Sequence, residues 1–239
     1  IWFSYFYKML KTDIDSFVID SRLFTLVKPE PIGSGGHAEV YLVADAEGNE
    51  YAAKVGLSNF ESHKDEKNFM RELIILSKVN NPCTIGLKGY TFSPKFLEDE
   101  KQSSGPTLIL EKASGGSIST MIDSPDPKWT PTKRMISLIG TAYGMKCLHS
   151  MHIIHRDLKS WNVLLNDNLH PKITDFGFSK IQFDNKQSIS NTGTLPYMAP
   201  ELFDDDNTYT NSVDVYAFSI MAYEIITLKR PYKNIKNIY

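Results

Sequence analysis

Short β-prone runs from Phe24 to Val43 and from Glu50 to Val55 are broken by the glycine-bearing turns IGSGGH and AEGN, which predicts a small antiparallel sheet. Residues 61–79 change period: Phe69, Leu73, Leu76 and Val79 recur at three- and four-residue steps and predict a helix with one apolar stripe. Strand-like runs return around residues 85–92 and 107–111, and the polar SPKFLEDEKQSSG between them predicts a solvated hairpin loop. After the small-residue stretch SGGS at 114–117 the character turns helical. Thr130 is a good N-cap before Pro131 for a helix over 131–150, with Met135, Ile136, Ile139, Tyr143 and Leu148 toward one face. Strand-like IIH and NVLL follow, then a long loop of Ser, Thr, Asn and Gln, then a helix from about Val213 to Thr227. That helix is apolar on nearly all sides and is expected to be buried all round. A strand-rich first part and a helix-rich second part, joined near residue 113, predict an α+β protein of two lobes with a cleft between them.

Composition narrows the classes. The 239 residues are 41% apolar and 23% charged, ordinary values for a globular protein with a sizeable core. Twenty-six basic against 28 acidic residues leave a formal charge of −2, which gives no footing for a nucleic-acid partner held by phosphate contacts. Cys83 and Cys147 can build no disulfide framework and lie in no metal-ligand spacing; Cys147 reads as a small core residue, and a reducing, cytoplasmic setting is the default. The aromatic start IWFSYFYKML is too short to span a bilayer and lacks the order of a signal peptide. Either the chain is a fragment at this end or Met9 is its start. There is no internal repeat, and membrane attachment is not expected.

Five elements carry candidate chemistry, in one order. The first is Gly33-Ser34-Gly35-Gly36-His37-Ala38-Glu39-Val40, where glycines between strands let backbone amides approach a polyphosphate. Alone this is usually only a tight turn. The second is Tyr51-Ala52-Ala53-Lys54-Val55, a mostly apolar strand whose lysine either points to solvent or is held inward by a carboxylate. Glu72, eighteen residues on, is the candidate partner, with a plain surface glutamate as the alternative. Third is His155-Arg156-Asp157-Leu158-Lys159-Ser160-Trp161-Asn162, fourth Asp175-Phe176-Gly177, and fifth Ala199-Pro200-Glu201 behind Gly193-Thr194-Leu195-Pro196-Tyr197-Met198.

In this order the five elements resemble the protein-kinase signature set, from about residue 22 to the end of the chain. The resemblance implies a domain over 22–239, divided into an N-lobe at 22–112 and a partial C-lobe at 113–239, after an N-terminal extension at 1–21. It implies the two-lobed kinase fold, ATP and Mg2+ as cofactors, and protein substrates. Lys54 would contact the α- and β-phosphates and pair with Glu72; Asp157 would accept or orient the substrate hydroxyl proton; Lys159 would sit near the transferred phosphate. Asn162 and Asp175 would hold magnesium. The nucleotide would lie among Ile32, Gly33, Ser34, Gly35, Gly36, Val40, Ala52, Lys54, Leu110, Glu111, Ala113, Leu164 and Asp175. Within that set Val40, Ala52 and Leu164 would sandwich the adenine, and Leu110 stands at the gatekeeper position before the hinge Glu111-Lys112-Ala113. Leu76, His155, Phe176 and Asp214 resemble the stacked column that aligns the lobes in active kinases. No catalytic residue of the signature is missing, although Ala38 stands where the pattern has its third glycine and narrows the approach to the nucleotide.

Lys159, Thr194 and the GTLPYMAPE and HRDLKS wording resemble kinases acting on serine and threonine, most closely the tyrosine-kinase-like group. Arg156 would be an uncompensated cation near the loop 178–198, a receiver for an activating phosphate on Ser188, Ser190 or Thr192, with Ser190 best spaced; the alternative is a mobile loop that happens to be serine-rich. The family's domain continues beyond the pattern found here, which predicts an exposed apolar patch, a tendency to aggregate and low activity of the isolated chain. The arginine that normally pairs with the Glu201 equivalent would also lie further on. Three alternatives remain beside a Ser/Thr kinase: a nucleotide-binding scaffold inactive through truncation, a tyrosine or dual-specificity kinase, and, less favoured, a small-molecule kinase of the same fold.

Overall fold

The computed structural model describes residues 14–35, 38–57, 63–97, 105–181, 193–203 and 210–232, with only the backbone of residues 63 and 64. The chain divides into two units: residues up to Asn80 with Ile85–Lys112, and Asn81–Thr84 with Ala113 onward.

In the first unit the β-prone runs become β1 (Thr25–Leu26), β2 (Gly33–Ser34), β3 (Ala38–Ala44), β4 (Glu50–Gly56), β5 (Leu87–Thr91) and β6 (Thr107–Glu111). They form one antiparallel sheet in the order β1-β3-β4-β6-β5, with β2 also on β3. Register sorts the side chains by face. Val40 lies opposite Lys54 and Leu42 opposite Ala52, while Ala52 meets Leu110 and Lys54 meets Leu108 on β6. Alternation sends Tyr41, Val43, Ala53, Val55 and Ile109 the other way, into a buried cluster with Phe24, Phe96 and Leu97. Fully burying each such side chain is worth about 1.5–3 kcal/mol. Phe96 and Leu97 correct the expectation of a wholly solvated 93–105 loop: its first residues close the core, because the sheet face needs a cover that β1–β6 cannot supply.

Helix α1 (His63–Lys78) carries the expected stripe, with Leu73, Leu76 and Val79 buried. Glu72, Ile74 and Ile75 are buried with them, so the covered face is wider than the stripe. Phe69 is half-buried, its ring 5.9 Å from that of Phe92. Ahead of the sheet, Val18 pairs with Tyr90 on the β5 edge, and the Ile19 amide donates to the Tyr90 carbonyl at 3.0 Å. Gly89 permits this approach: a Cβ there would sit 2.4 Å from Ile19 Cγ2 and 2.7 Å from the Phe17 carbonyl oxygen.

The second unit is built on α2 (Ile118–Asp123), α3 (Pro131–Ser150) and α4 (Ser212–Thr227), with the ribbons β8 (Val163–Leu165) on β9 (Pro171–Ile173) and β7 (Ile153–Ile154) on β10 (Lys180–Ile181). Thr130 caps α3 as expected, its hydroxyl accepting from the Lys133 amide at 3.4 Å, with Pro131 in the first turn. The face of α3 is not the expected one. Met135, Ile139 and Tyr143 are exposed and Ile136 is half-buried; the buried positions are Ser137, Leu138, Thr141, Gly144, Met145 and Leu148. Close approach decides it, for a Cβ on Gly144 would meet Ile173 Cδ1 at 2.7 Å, and Thr141 spends its hydroxyl on the Ser137 carbonyl.

Helix α4 is likewise buried on one side only, through Val213, Asp214, Ala217, Met221, Glu224 and Ile225. Val215, Tyr223 and Ile226 are exposed, in keeping with the apolar patch expected of the isolated chain. Among the described residues no helix is long and apolar enough to cross a membrane. Cys83 and Cys147 are free, and both are half-buried.

Candidate active site

The candidate residues fall in both units and each set is built locally. In the first, β4 alternation puts Lys54 on the face away from the Phe96 cluster, and α1 presents Glu72 to it. The Lys54 ammonium donates to both Glu72 carboxylate oxygens at 2.8 Å. Glu72 is 5% exposed, so the pair stands between the burial that would make an isolated carboxylate costly and the solvent that would make the bridge worth little. Of the remaining positions, Ile32, Gly33, Ser34 and Gly35 are exposed; Val40, Ala52 and Glu111 are half-buried; Leu110 is buried. Glu111 is tied to Gly86 twice, its amide donating to the Gly86 carbonyl and its carboxylate accepting from the Gly86 amide. Gly36 and His37 lie outside the described residues.

The second set rests on Asp214, delivered by the first turn of α4. Its carboxylate accepts from the His155 and Arg156 amides, each at 2.8 Å, and lies 2.9 Å from His149 Nε2 on α3. Arg156 is left-handed, with φ of 66°, a conformation that disfavours a long side chain; the two amide bonds to Asp214 hold it there. Its Nε donates to the Phe178 carbonyl at 2.7 Å. Ser188, Ser190 and Thr192, the expected phosphate acceptors, lie outside the described residues.

On this pinned turn Asp157 gathers three partners. Lys159 Nζ donates to its Oδ2 at 2.7 Å, Asn162 Nδ2 to the same oxygen at 3.0 Å, and the Thr194 hydroxyl to its Oδ1 at 3.0 Å. Lys159 also donates to the Thr194 hydroxyl at 2.9 Å, closing a triangle. Thr194 was visible in the sequence only as part of a family wording; nothing in spacing linked it to Asp157, from which it lies 37 residues away. Asn162 spends its remaining amide hydrogen on the Asp157 carbonyl at 2.8 Å, so only its amide oxygen is left to offer elsewhere. Asp175 is half-buried and left-handed, with φ of 66°, and Phe176 beside it is fully buried, its ring 5.3 Å from that of His155. Leu164 and Ala113 are half-buried. Leu76, the fourth member of the expected column, is buried. Glu201 accepts from the Ser212 hydroxyl at 3.1 Å.

Magnesium suits this donor set. The ion takes oxygen ligands from one or two side chains and completes its shell with water and phosphate. An Asn162 whose nitrogen is already committed, and the Asp175 carboxylate, are of that type. Among the described residues no group of three or more His, Cys, Asp or Glu is placed to hold a metal by itself.

The first unit thus carries a lysine–glutamate pair on strand and helix, and the second carries an aspartate–lysine–asparagine–threonine cluster on a pinned loop. The chain belongs to the protein kinase domain family, which it matches over residues 26–239. It is 32% identical over 218 residues to the LRR receptor-like serine/threonine-protein kinase FEI 2 of Arabidopsis thaliana, covering 89% of this chain and 35% of the relative. It is 34% identical over 209 residues to the RGS domain-containing serine/threonine-protein kinase A of Dictyostelium discoideum, covering 87% of this chain and 17% of the relative. It is 30% identical over 211 residues to the serine/threonine-protein kinase TNNI3K of Rattus norvegicus, covering 87% of this chain and 24% of the relative. The chain thus spans between 17% and 35% of the length of these three relatives.

Proposed function

We propose that the chain transfers the γ-phosphate of ATP to serine and threonine hydroxyls of protein substrates. The observation that carries this reading is the triangle of Asp157, Lys159 and Thr194. Asp157 is an acceptor-only carboxylate, 5% exposed, held by donors on both oxygens; it is fitted to orient a substrate hydroxyl and take its proton. Lys159 beside it would meet the negative charge of the transferred phosphoryl group. Lys54, kept in place by Glu72, would hold the α- and β-phosphates, and the loop amides of residues 34–37 would cover the nucleotide. Val40, Ala52, Leu110 and Leu164 would surround the adenine, with Ile32 beside them and the backbone of Glu111 and Ala113 at its edge. Asn162 and Asp175 would hold magnesium, which when bound offsets phosphate charge.

In this reading residues 22–239 are the kinase domain, 22–112 its N-lobe and 113–239 its C-lobe, after an extension at 1–21; the unit boundary after Lys112 supports the division. A cytoplasmic location agrees with two free thiols and a need for ATP. The likeness to the serine/threonine/tyrosine-protein kinase HT1 of Arabidopsis thaliana, 30% over 207 residues, keeps dual specificity as a second reading.

The test is magnesium-dependent transfer of labelled phosphate from ATP to a generic basic protein, beside Asp157→Ala, followed by phosphoamino-acid analysis. The reading expects label on serine and threonine, reduced by about 10²–10⁴-fold in the variant. Label on tyrosine would move it to dual specificity. ATP binding without transfer would leave a scaffold.

A further inference from the structure

The triangle at Asp157 joins two chain segments, residues 157–162 and 194–199, and the catalytic groups do not explain what holds them together. A second polar cluster does. Arg230, two residues beyond Leu228, the C-cap of α4, places its guanidinium 4.3 Å from the centre of the Trp161 ring. Its Nη1 donates to the Ser160 hydroxyl at 3.1 Å and to Glu224 Oε1 at 3.0 Å. Its Nε donates to Asp123 Oδ1 at 3.0 Å, and its Nη2 to Asp123 Oδ2 and to Ser119. All five guanidinium hydrogens therefore meet acceptors, drawn from α2, α4 and the residue next to Lys159.

The second segment enters through Tyr197, whose hydroxyl donates to Glu224 Oε2 at 2.5 Å and lies 3.1 Å from Ser160 Oγ. Proton direction around this ring is fixed. Arginine can only donate and a carboxylate only accept, so Arg230 donates to Ser160, Ser160 to Tyr197, and Tyr197 to Glu224, which also receives Arg230. Glu224 and Ser160 are fully buried and Tyr197 is 5% exposed, so each member left without its partner would be an unsatisfied group in a low-dielectric interior.

We infer that Arg230 is a positioning residue for phosphoryl transfer: by clamping Ser160 directly and Tyr197 through Glu224, it holds the Asp157–Lys159 loop and the Thr194 segment together. The consequence for transfer rests on the kinase reading; the clamp does not. The test uses the 239-residue chain with two readouts, hydrogen exchange resolved by segment and initial transfer rates with ATP and basic protein varied separately. Arg230→Lys keeps a cation facing Glu224 but loses the fork. It is expected to speed exchange in 157–162 and 193–199 while α4 stays protected, and to lower kcat about tenfold with KM for ATP unchanged. In the double variant Glu224→Gln with Arg230→Met no buried charge is unpaired. Thermal stability is expected to recover from that of Arg230→Met alone, while both segments still exchange fast and transfer stays low.

Unchanged exchange in both segments in a folded Arg230→Lys chain would overturn the clamp. Wild-type kcat in that variant, or transfer recovering in step with stability in the double variant, would reduce Arg230 to a purely structural residue. If the unsubstituted chain transfers nothing, the kinase reading falls, and the exchange readout still judges the clamp.

Discussion

Asp157, on a loop, and Asp214, in the first turn of α4, are both buried carboxylates, and their partners separate their work. Asp214 is spent on backbone amides and His149, so it shapes the turn; Asp157 is spent on the side chains of Lys159, Asn162 and Thr194. Asp214→Ala leaves two buried amides and a histidine without their acceptor, and about 3–5 kcal/mol of stability should go with it, read as a lowered denaturation midpoint. Thr194→Val keeps shape and removes the hydroxyl shared by Lys159 and Asp157; kcat should fall about tenfold while the midpoint moves little. Tyr197 adds a pH signature. Burial pushes its phenol above the ordinary value near 10, and the Glu224 carboxylate adds to the rise. A raised value means the neutral form is the one the fold stabilises. Its contribution is therefore complete below pH 10 and is lost as pH climbs from there toward the raised value. Stability of the unsubstituted chain should fall more steeply on that alkaline limb than that of Tyr197→Phe, which a pH series of chemical melts would reveal.

At the scale of elements, the legible parts are those whose signal is local. The 131–150 helix has the expected bounds because Thr130 and Pro131 announce its start, and β6 has the expected bounds because TLILE is an unbroken apolar run. Lys54 and Glu72 could be paired only because the order of the five elements resembles the kinase signature; the strand alone left a solvent-facing lysine and a surface glutamate open. What stayed hidden is decided by fit between distant segments. The buried face of α3 is its small-residue face, since contact with β9 rewards Gly144 rather than Ile139, and no periodicity records that. The Arg230 ring was invisible for the same reason: its members come from five stretches of chain, each unremarkable alone. The strap on β5 follows the same logic and yields a prediction. Gly89→Ala sets a methyl against both Ile19 and the Phe17 carbonyl, and should cost about 1–3 kcal/mol while speeding exchange of the Ile19 amide. Adding Ile19→Ala relieves only the side-chain half of the clash, so recovery should be partial.

For the molecule as a whole, the question is what its surface does with the apolar residues the helices leave out. On α4, Val215, Tyr223 and Ile226 are 59%, 46% and 64% exposed; on α3, Met135, Ile139 and Tyr143 are 53%, 63% and 55% exposed. Single exposed hydrophobics are ordinary, but stripes of three at helical spacing are the kind of surface that seeks a partner. Net charge offers little opposition, at −2 with an isoelectric point near 6.3, so repulsion between copies is weak near neutrality and weaker just below it. The expected outcome is concentration-dependent association that grows as pH falls from 7.5 toward 6.3. Ile226→Lys with Val215→Lys should suppress it, adding charge and removing apolar area in one step. Because both side chains face solvent, stability should move by no more than about 0.5 kcal/mol. Sedimentation velocity at several concentrations reads the first effect and a denaturant melt the second. Suppression with an unchanged midpoint assigns the association to α4; an unchanged distribution of species moves it to the stripe on α3, where Ile139→Lys makes the same comparison.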